Sequence, residues 1–521
     1  MKFVFRTDAA LMIGTGHVMR CLALADRLRE EGHQVHFIFR EHPGNLCDWV
    51  ERERSYPVSR LPGIDGFQEE ARQEGHAHWL GASVAMDAEQ TVGAIREMAV
   101  RPDWLIVDHY AIDANWERVL RPHVERIMVI DDLADRHHDC DLLLDQTFGR
   151  LPGDYQALAP SAHTMTGSAY ALLRPEFNQV RTTSLARRRS RKGVARILVG
   201  MGALDPDNVT KTVLEAIALS GFQWTVDVIL AHGAPHLEVV RHWCEESSLD
   251  VAVHVSPGNI PELMAHADIG IGAAGTTSWE RCCMGLPSMT LVIAENQMLV
   301  AGIMERAGAA VNLGNFRSVD PEHIATSLRN LAEDPERLTR MSLEAARMCD
   351  GLGTGRVGQR LVPEFATDKN PVWVRPARTE DIQRVFEWQS TPGMRTHCRN
   401  PSVPSFDEHV SWFKSRLSDP SCLLNIVIHK RQPAGVLRLD SLEGEENRDV
   451  YEVSLLVAPD HQRQGVGGAA IRCARRLVPY AEIKAEILDQ NTGSRMLFER
   501  EGYLLGKDGL WVQNPVAETA G

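Results

Sequence analysis

The sequence predicts an α/β protein: two doubly wound, mostly parallel halves followed by a smaller α+β unit. Three observations lead there. An apolar strand, a glycine turn and an amphipathic helix follow one another at Phe3 to Leu28, and the same pattern restarts at Ala195. A change of composition across 350–371 then opens a region where strands succeed one another. At 521 residues the chain is too long for a single core, and its length implies roughly three domain-sized units. The units expected are 1–180, 194–365 and 372–515.

Bulk numbers exclude several classes. Hydrophobic content of 44% and charged content of 24% are those of an ordinary soluble protein. A net charge of −14 argues against general affinity for nucleic acid or an anionic membrane, though not against a small anionic substrate bound locally. The ten cysteines show no paired C-x-x-C spacing, and Cys282 and Cys283 are adjacent; they read as reduced thiols rather than a zinc site or disulfide frame. Arg6 and Asp8 interrupt the only apolar stretch at the N-terminus, so no signal peptide is expected, and no apolar run is long enough to cross a bilayer. The expectation is a soluble, cytoplasmic protein without a metal.

In the first half, Phe3-Val4-Phe5-Arg6-Thr7-Asp8 is a strand, and Ile13-Gly14-Thr15-Gly16-His17 is the turn. Val18, Cys21, Leu22, Ala25 and Leu28 recur at helical spacing, with Gly32 where a C-cap belongs. Glycines let backbone approach a ligand, and a helix start aims free N–H groups at negative charge. His17 opens that helix, whose positive end favours a neutral imidazole suited to general-base work. The same spacing equally suits a histidine that only caps or packs. Strands are expected at Gln34–Phe39, Asp103–Val107, Arg126–Ile130 and Leu142–Leu144, with a helix over Val92–Val100. Asp108, His109, Asp131 and Asp132 fall at strand carboxyl ends, where ligands gather in doubly wound sheets, although each aspartate also suits a helix N-cap. Arg181 to Lys192 reads as a connection, its basic run 187–192 as a solvated linker rather than a nucleic-acid patch.

The second half starts with strand Arg196–Val199 entering Gly200-Met201-Gly202 and a helix at Val209–Ala218. Strands Thr225–Leu230 and Val251–Val255 and a helix Ile260–His266 lead to a second glycine turn, Gly275-Thr276-Thr277-Ser278-Trp279-Glu280. Free amides and small hydroxyl residues at a helix start suit a diphosphate, and Glu280 could hold ribose hydroxyls. Strand Met289–Ile293 ends near Asn296 and Gln297.

The last unit reads as a helix at Phe406–Leu417 and strands at Leu424–His429, Ala434–Asp440, Tyr451–Val457 and Glu482–Leu488. Between the last two strands, Gln462-Arg463-Gln464-Gly465-Val466-Gly467 opens a helix, Ala469–Val478. Its successive amides, with Arg463 as counter-charge, suit a pyrophosphate. A further helix follows Asn491.

The first ~365 residues resemble the nucleotide-sugar hydrolases of pseudaminic acid biosynthesis, which remove UDP from UDP-2,4-diacetamido-2,4,6-trideoxy-β-L-altrose. The match lies in Arg6-Thr7-Asp8, Ile13 to Cys21, Val107 to Tyr110, Asp131 to Arg136, Cys140 to Gln146, Tyr170 to Phe177, Gly275 to Glu280, Gly285-Leu286-Pro287 and Asn296-Gln297. The resemblance implies two Rossmann-like halves of the GT-B type, shared with UDP-sugar glycosyltransferases. It also implies a water activated by His17, a sugar facing Asp8, Gly14, Gly16, Asp108 and His109, and UDP held by Gly275, Thr276, Thr277, Glu280, Asn296 and Gln297. One departure is Gly200-Met201-Gly202-Ala203, where the family more often has Gly-Gly-Ser or Gly-Gly-Ala.

The last ~145 residues resemble GNAT acyltransferases through the Gln462–Gly467 loop and the segment Asn491 to Tyr503. That resemblance implies acetyl-CoA on Gln462, Arg463, Gly465, Gly467 and Asn491, with Glu452 as candidate base. Glu452 reads equally as a solvent-facing strand carboxylate. Many members carry a tyrosine general acid where this chain has Phe498, and Tyr503 is the nearest alternative in sequence. Together the resemblances imply N-acetylation of the 4-amino group of a UDP-sugar, then hydrolysis with inversion. The alternative is a UDP-sugar glycosyltransferase with a non-catalytic or differently specific GNAT module.

Overall fold

A computed structural model describes residues 1–63, 76–98, 100–191, 193–442 and 449–516. The chain forms two compact units, Met1–Thr354 and Gly355–Gly521, the division falling inside the helix Gly353–Leu361.

The first unit contains two sheets. Strands β1 (Lys2–Thr7), β2 (Gln34–Arg40), β3 (Val58–Leu61), β4 (Trp104–Asp108), β5 (Arg126–Ile130), β6 (Leu142–Asp145) and β7 (His163–Thr166) align in the order β3-β2-β1-β4-β5-β6-β7. Strands β8 (Arg196–Gly200), β9 (Thr225–Leu230), β10 (Asp250–Val255), β11 (Ile269–Ala273), β12 (Ser288–Val292) and β13 (Ala310–Asn315) repeat the plan as β10-β9-β8-β11-β12-β13. Every pairing is parallel, which buries both faces of the central strands and explains their unbroken Val/Ile/Leu runs. In each sheet the order reverses beside the first strand. This places the crevices between β1 and β4 and between β8 and β11, at their carboxyl ends.

The helix Gly16–Glu30 follows β1, and Gly32 ends it with φ +82°, its N–H on Arg29 O at 2.9 Å. The helix expected at Val92–Val100 starts earlier, at Val84, because Ser83 Oγ accepts from Met86 N and caps it. It runs to Glu97; Ala99, like Lys192, lies outside the described residues.

The expected linker at 181–192 is corrected. Pro175–Ser190 is a helix, and Arg181 and Arg188 are buried on it. Arg188 donates to Met264 O (2.7 Å), Ala267 O (2.8 Å) and Met284 O (2.8 Å). Arg181 donates to Ala346 O (2.7 Å), Cys349 O (3.0 Å) and Cys283 O. These carbonyls lie at the C-terminal ends of the helices Ile260–His266, Thr277–Cys283 and Pro335–Met348, which have no intrahelical donor to spare. The basic run is therefore partly interior: Arg188, with Arg181 before the run, finishes helices of the second half.

The second unit holds one sheet, ordered β14-β15-β16-β17-β18-β19-β21-β20. Its strands are β14 (Glu364–Phe365), β15 (Pro371–Pro376), β16 (Cys422–His429), β17 (Gln432–Leu442), β18 (Val450–Val457), β19 (Glu482–Ala485), β20 (Leu504–Leu505) and β21 (Trp511–Gln513). Neighbours are antiparallel except β18 and β19, which run parallel and pair only from Val450↔Glu482 to Glu452↔Lys484. β18 continues five residues further, to Val457, so the two strands part after Glu452.

Candidate active sites

β1 and β4 deliver the first site. They pair with Thr7 opposite Asp108, so Asp8, Asp108 and His109 arrive together at the switch point. The helix Gly16–Glu30 brings His17 and Arg20 to the same place from above, three residues apart and so on one face.

His17 Nδ1 lies 2.6 Å from Asp108 Oδ1. Arg20 grips the same carboxylate through Nε to Oδ2 (2.6 Å) and Nη2 to Oδ1 (2.7 Å), and its Nη1 pairs with Asp132. Burial works to raise the Asp108 carboxyl, but Arg20 and then His17 outweigh it and hold it below the usual range. An ionised carboxylate only accepts, so the contact with Asp108 puts a proton on Nδ1 of the imidazole. The imidazole is packed edge-on to Tyr110 (4.5 Å between centroids, 83°) and Trp79 (6.1 Å, 80°), and it is 8% exposed. Tyr110 donates to Asp132 Oδ2 at 2.9 Å, closing a ring of Arg20, Asp132, Tyr110 and His17.

Asp8 and His109 sit beneath this layer rather than on it. Asp8 is completely buried: Arg6 Nη1 is 2.7 Å from its Oδ1, which also accepts Arg40 N at 2.7 Å. Arg6 and Arg40 are bridged in turn by Asp87, at 2.6 and 2.7 Å. His109 Nδ1 accepts from Ala111 N at 3.1 Å, and Nε2 lies 3.5 Å from Asp8 Oδ2. Burial pushes its pKa down to about 3, so it is neutral. Asp8, Asp108 and His109, expected to face a sugar, are buried, with His17 and Arg20 packed onto Asp108.

The second half supplies the opposite wall. An added Cβ at Gly16 would stand 3.2 Å from Thr276 Oγ1, so the two glycine turns abut at Gly16. Gly14, before it, adopts φ +79°. Thr276 precedes the short helix Thr277–Cys283, and Thr277 Oγ1 accepts from Arg281 Nη1 at 3.2 Å. Gln297 reaches this turn, its Nε2 3.7 Å from where a Gly275 Cβ would be, while its Oε1 accepts from Ile293 N at 3.1 Å. Asn296 is exposed beside it. Burial raises the Glu280 carboxyl, and Arg174 and Arg281 oppose that rise.

In the second unit, the Gln462–Gly467 loop lies between the free end of β18 and the helix Val466–Leu477. Arg463 (φ +59°) and Gly465 (φ +83°) take left-handed backbone on either side of Gln464, after an extended Gln462, so the chain turns sharply into the helix. A Cβ at Gly465 would lie 2.6 Å from Thr367 N, so only glycine fits. Gly467 packs against Leu497, and Gln462 Nε2 donates to Val457 O at 3.3 Å. Glu452 stands where β18 and β19 part, 2.5 Å from Arg399 Nη2; Arg399 also pairs with Glu486. Asn491 is the N-cap of the helix Thr492–Arg500, its Oδ1 accepting from Ser494 N at 3.1 Å, so that oxygen serves the fold. Phe498 is buried edge-on to Tyr503 (4.9 Å, 78°). Tyr503 is itself fully buried, which raises its hydroxyl above the usual range and removes it from solvent.

Sequence reasoning placed Asp132 at a strand end where ligands gather, but missed Arg20, Tyr110, Trp79 and Arg399. Arg20 carried a signal, the i,i+3 spacing from His17. Trp79, on the turn Ala77–Leu80, carried none. Among the described residues no group of His, Cys, Asp and Glu could hold a metal ion, and no helix is long and apolar enough to cross a membrane.

Residues 372–503 match the family model described as acetyltransferase (GNAT) domain. The whole chain is similar to an uncharacterised protein of Methanocaldococcus jannaschii, 20% identical over 98% of both chains. It is similar to the UDP-2,4-diacetamido-2,4,6-trideoxy-β-L-altropyranose hydrolase of Campylobacter jejuni, 23% identical over 60% of this chain and 98% of that one. Among solved structures, MurG of Acinetobacter baumannii superposes with a TM-score of 0.50 at 15% identity, over 69% of this chain and 99% of that one. The two Rossmann-like halves of GT-B type and the C-terminal GNAT domain are thus present, and the chain is an enzyme.

Proposed function

We propose that the chain is a bifunctional nucleotide-sugar enzyme. The first unit hydrolyses UDP-2,4-diacetamido-2,4,6-trideoxy-β-L-altropyranose at the anomeric carbon, giving free sugar and UDP. The observation that carries this reading is the 2.6 Å contact of His17 Nδ1 with Asp108, set where Gly16 abuts Thr276. Similarity to the Campylobacter hydrolase supplies the substrate.

Asp108 fixes the imidazole so that Nε2 takes a proton from water as the oxygen attacks the anomeric carbon. UDP leaves from the opposite face, its charge met by the Gly275–Thr277 turn. Attack opposite the leaving group inverts the anomeric centre. The uridine ribose falls to Glu280, with Asn296 and Gln297 beside the turn.

The second unit transfers the acetyl group of acetyl-CoA to the 4-amino group of the precursor UDP-sugar. The Gln462–Gly467 loop takes the pyrophosphate of the CoA, and Glu452 assists removal of the amine proton. The amide must form before the nucleotide is cut away, and carrying both steps on one chain raises the local concentration of the intermediate.

Mass spectrometry of products from the UDP-4-amino sugar tests the pair of steps. With acetyl-CoA the expected products are free diacetamido sugar and UDP; without it the amino sugar nucleotide persists. His17→Asn should slow UDP release about 10²–10⁴-fold while UDP still binds. The rival reading is a UDP-sugar glycosyltransferase, since the fold is shared; it predicts UDP release only when an acceptor alcohol is added.

A further inference from the structure

Arg281 is a buried cation at the switch point of the second half. β8 and β11 pair there with Gly200 opposite Gly272, and the strand order reverses at that pair. The guanidinium occupies the space Gly272 leaves: a Cβ there would lie 2.6 Å from Arg281 Nη1 and 2.9 Å from Gly200 O. Gly270 makes room for the stem, 3.1 Å from Arg281 Cδ by the same construction.

Its partners do not neutralise it. Arg281 is 4% exposed, and its Nη groups donate to Ala273 O (2.9 Å), Thr277 Oγ1 (3.2 Å) and Ser278 Oγ (3.1 Å), all uncharged. Its Nε–H has no acceptor among the described residues. The buried arginines of the first half, Arg6, Arg20 and Arg40, each hold a carboxylate. Arg181 and Arg188 hold three carbonyls apiece at helix ends, whereas Arg281 holds one carbonyl. Burial disfavours its charged form, and Cys282 and Glu280 offset this only in part. A buried charge left short of partners is costly, and such positions mark sites that an incoming opposite charge completes.

The hydroxyls give this charge a direction. Thr277 Oγ1 accepts from the guanidinium, so its own proton is free to point elsewhere, and Thr277 is partly exposed at the turn. We propose that Arg281 is a positioning residue for the diphosphate of the nucleotide, supplying counter-charge from behind the turn and orienting Thr277 as a donor to it. The inference rests on the UDP reading above.

Calorimetric titration of the full chain with UDP, UMP and uridine tests it. Wild type should bind UDP more tightly than uridine. Arg281→Gln should weaken UDP binding about tenfold or more and leave uridine binding within about twofold, with Arg281→Lys recovering part of the loss. Thr277→Val should also weaken UDP selectively, and adding it to Arg281→Gln should cost less than in wild type, because the donor already lacks its orienting partner. Equal losses for UDP and uridine, or unchanged UDP affinity in Arg281→Gln, would overturn the inference alone. If Arg281→Gln does not fold, unchanged UDP affinity in Thr277→Val overturns it. Failure of wild type to bind UDP would overturn the reading beneath it.

Discussion

Asp108 holds His17 by one oxygen and Arg20 by both, so a single buried carboxylate sets the tautomer of the imidazole and the position of the helix that carries it. Asp108→Asn replaces an acceptor-only group with an amide that can present either face to Nδ1. Turnover should fall about 10²–10⁴-fold, and the Asp108→Asn/His17→Asn pair should be hardly slower than either single variant, because both act through one proton transfer. Steady-state UDP release measures this. Multiplying defects would show the two residues acting independently.

Stability of the first unit should fall with acidification in two stages. His109 is buried neutral with its pKa pushed down to about 3, so the unfolded chain binds its proton first and stability declines as pH drops below about 6.5. Asp8, Asp87 and Asp108 are each raised by burial but held low by Arg6 or Arg20, which reverses the sign of the net shift. Their stabilisation is present above the unfolded carboxyl value of about 3.9 and is lost as pH falls below it. Thermal midpoints from pH 7 to 3 should show a shallow decline followed by a steep one, and His109→Gln should flatten the first. A first stage unchanged in His109→Gln would contradict the first assignment, and a midpoint that stays level below pH 4 would contradict the second.

Two neighbours on one helix should behave oppositely. Arg188→Ala strands three helix-end carbonyls in the interior and should cost about 3 kcal/mol. Arg189 is exposed, and Arg189→Ala should stay within about 0.5 kcal/mol. Denaturant unfolding monitored on the first unit separates them. Equal small effects would return the segment to the status of a solvated linker.

Glu452→Gln should lower amine acetylation by about 10²-fold or more with little change in the acetyl-CoA KM, since Glu452 lies at the strand fork and not in the Gln462–Gly467 loop. Gly465→Ala should do the reverse, raising that KM, because its φ of +83° and the nearby Thr367 N exclude a side chain. Thiol release from acetyl-CoA reads both. An unchanged rate in Glu452→Gln would remove it from the acetyl transfer step.

The sheets were legible where apolar runs end in charge or glycine. β5, β9 and the helix Ile260–His266 occupy the residues that patterning predicts. The helix Pro175–Ser190 was not, because part of its buried face is arginine and serine rather than apolar, and only the distant carbonyls they meet explain that face. At the first site the glycine turns exposed Gly16, His17 and Thr276 in the sequence. The partnership of His17 with Asp108 spans 91 residues and follows from the pairing of β1 with β4, which local pattern does not encode. Arg399, in a turn segment, meets Glu452 across 53 residues, which local pattern does not encode either.

Incubating the purified chain with UDP-2,4-diacetamido-2,4,6-trideoxy-β-L-altropyranose in water enriched in heavy oxygen shows whether His17 directs water to the anomeric carbon. UDP should be released without any acceptor and carry no heavy oxygen, and release should be nearly abolished in His17→Asn. Heavy oxygen on the terminal phosphate of UDP, or release that waits for an added alcohol, would contradict it.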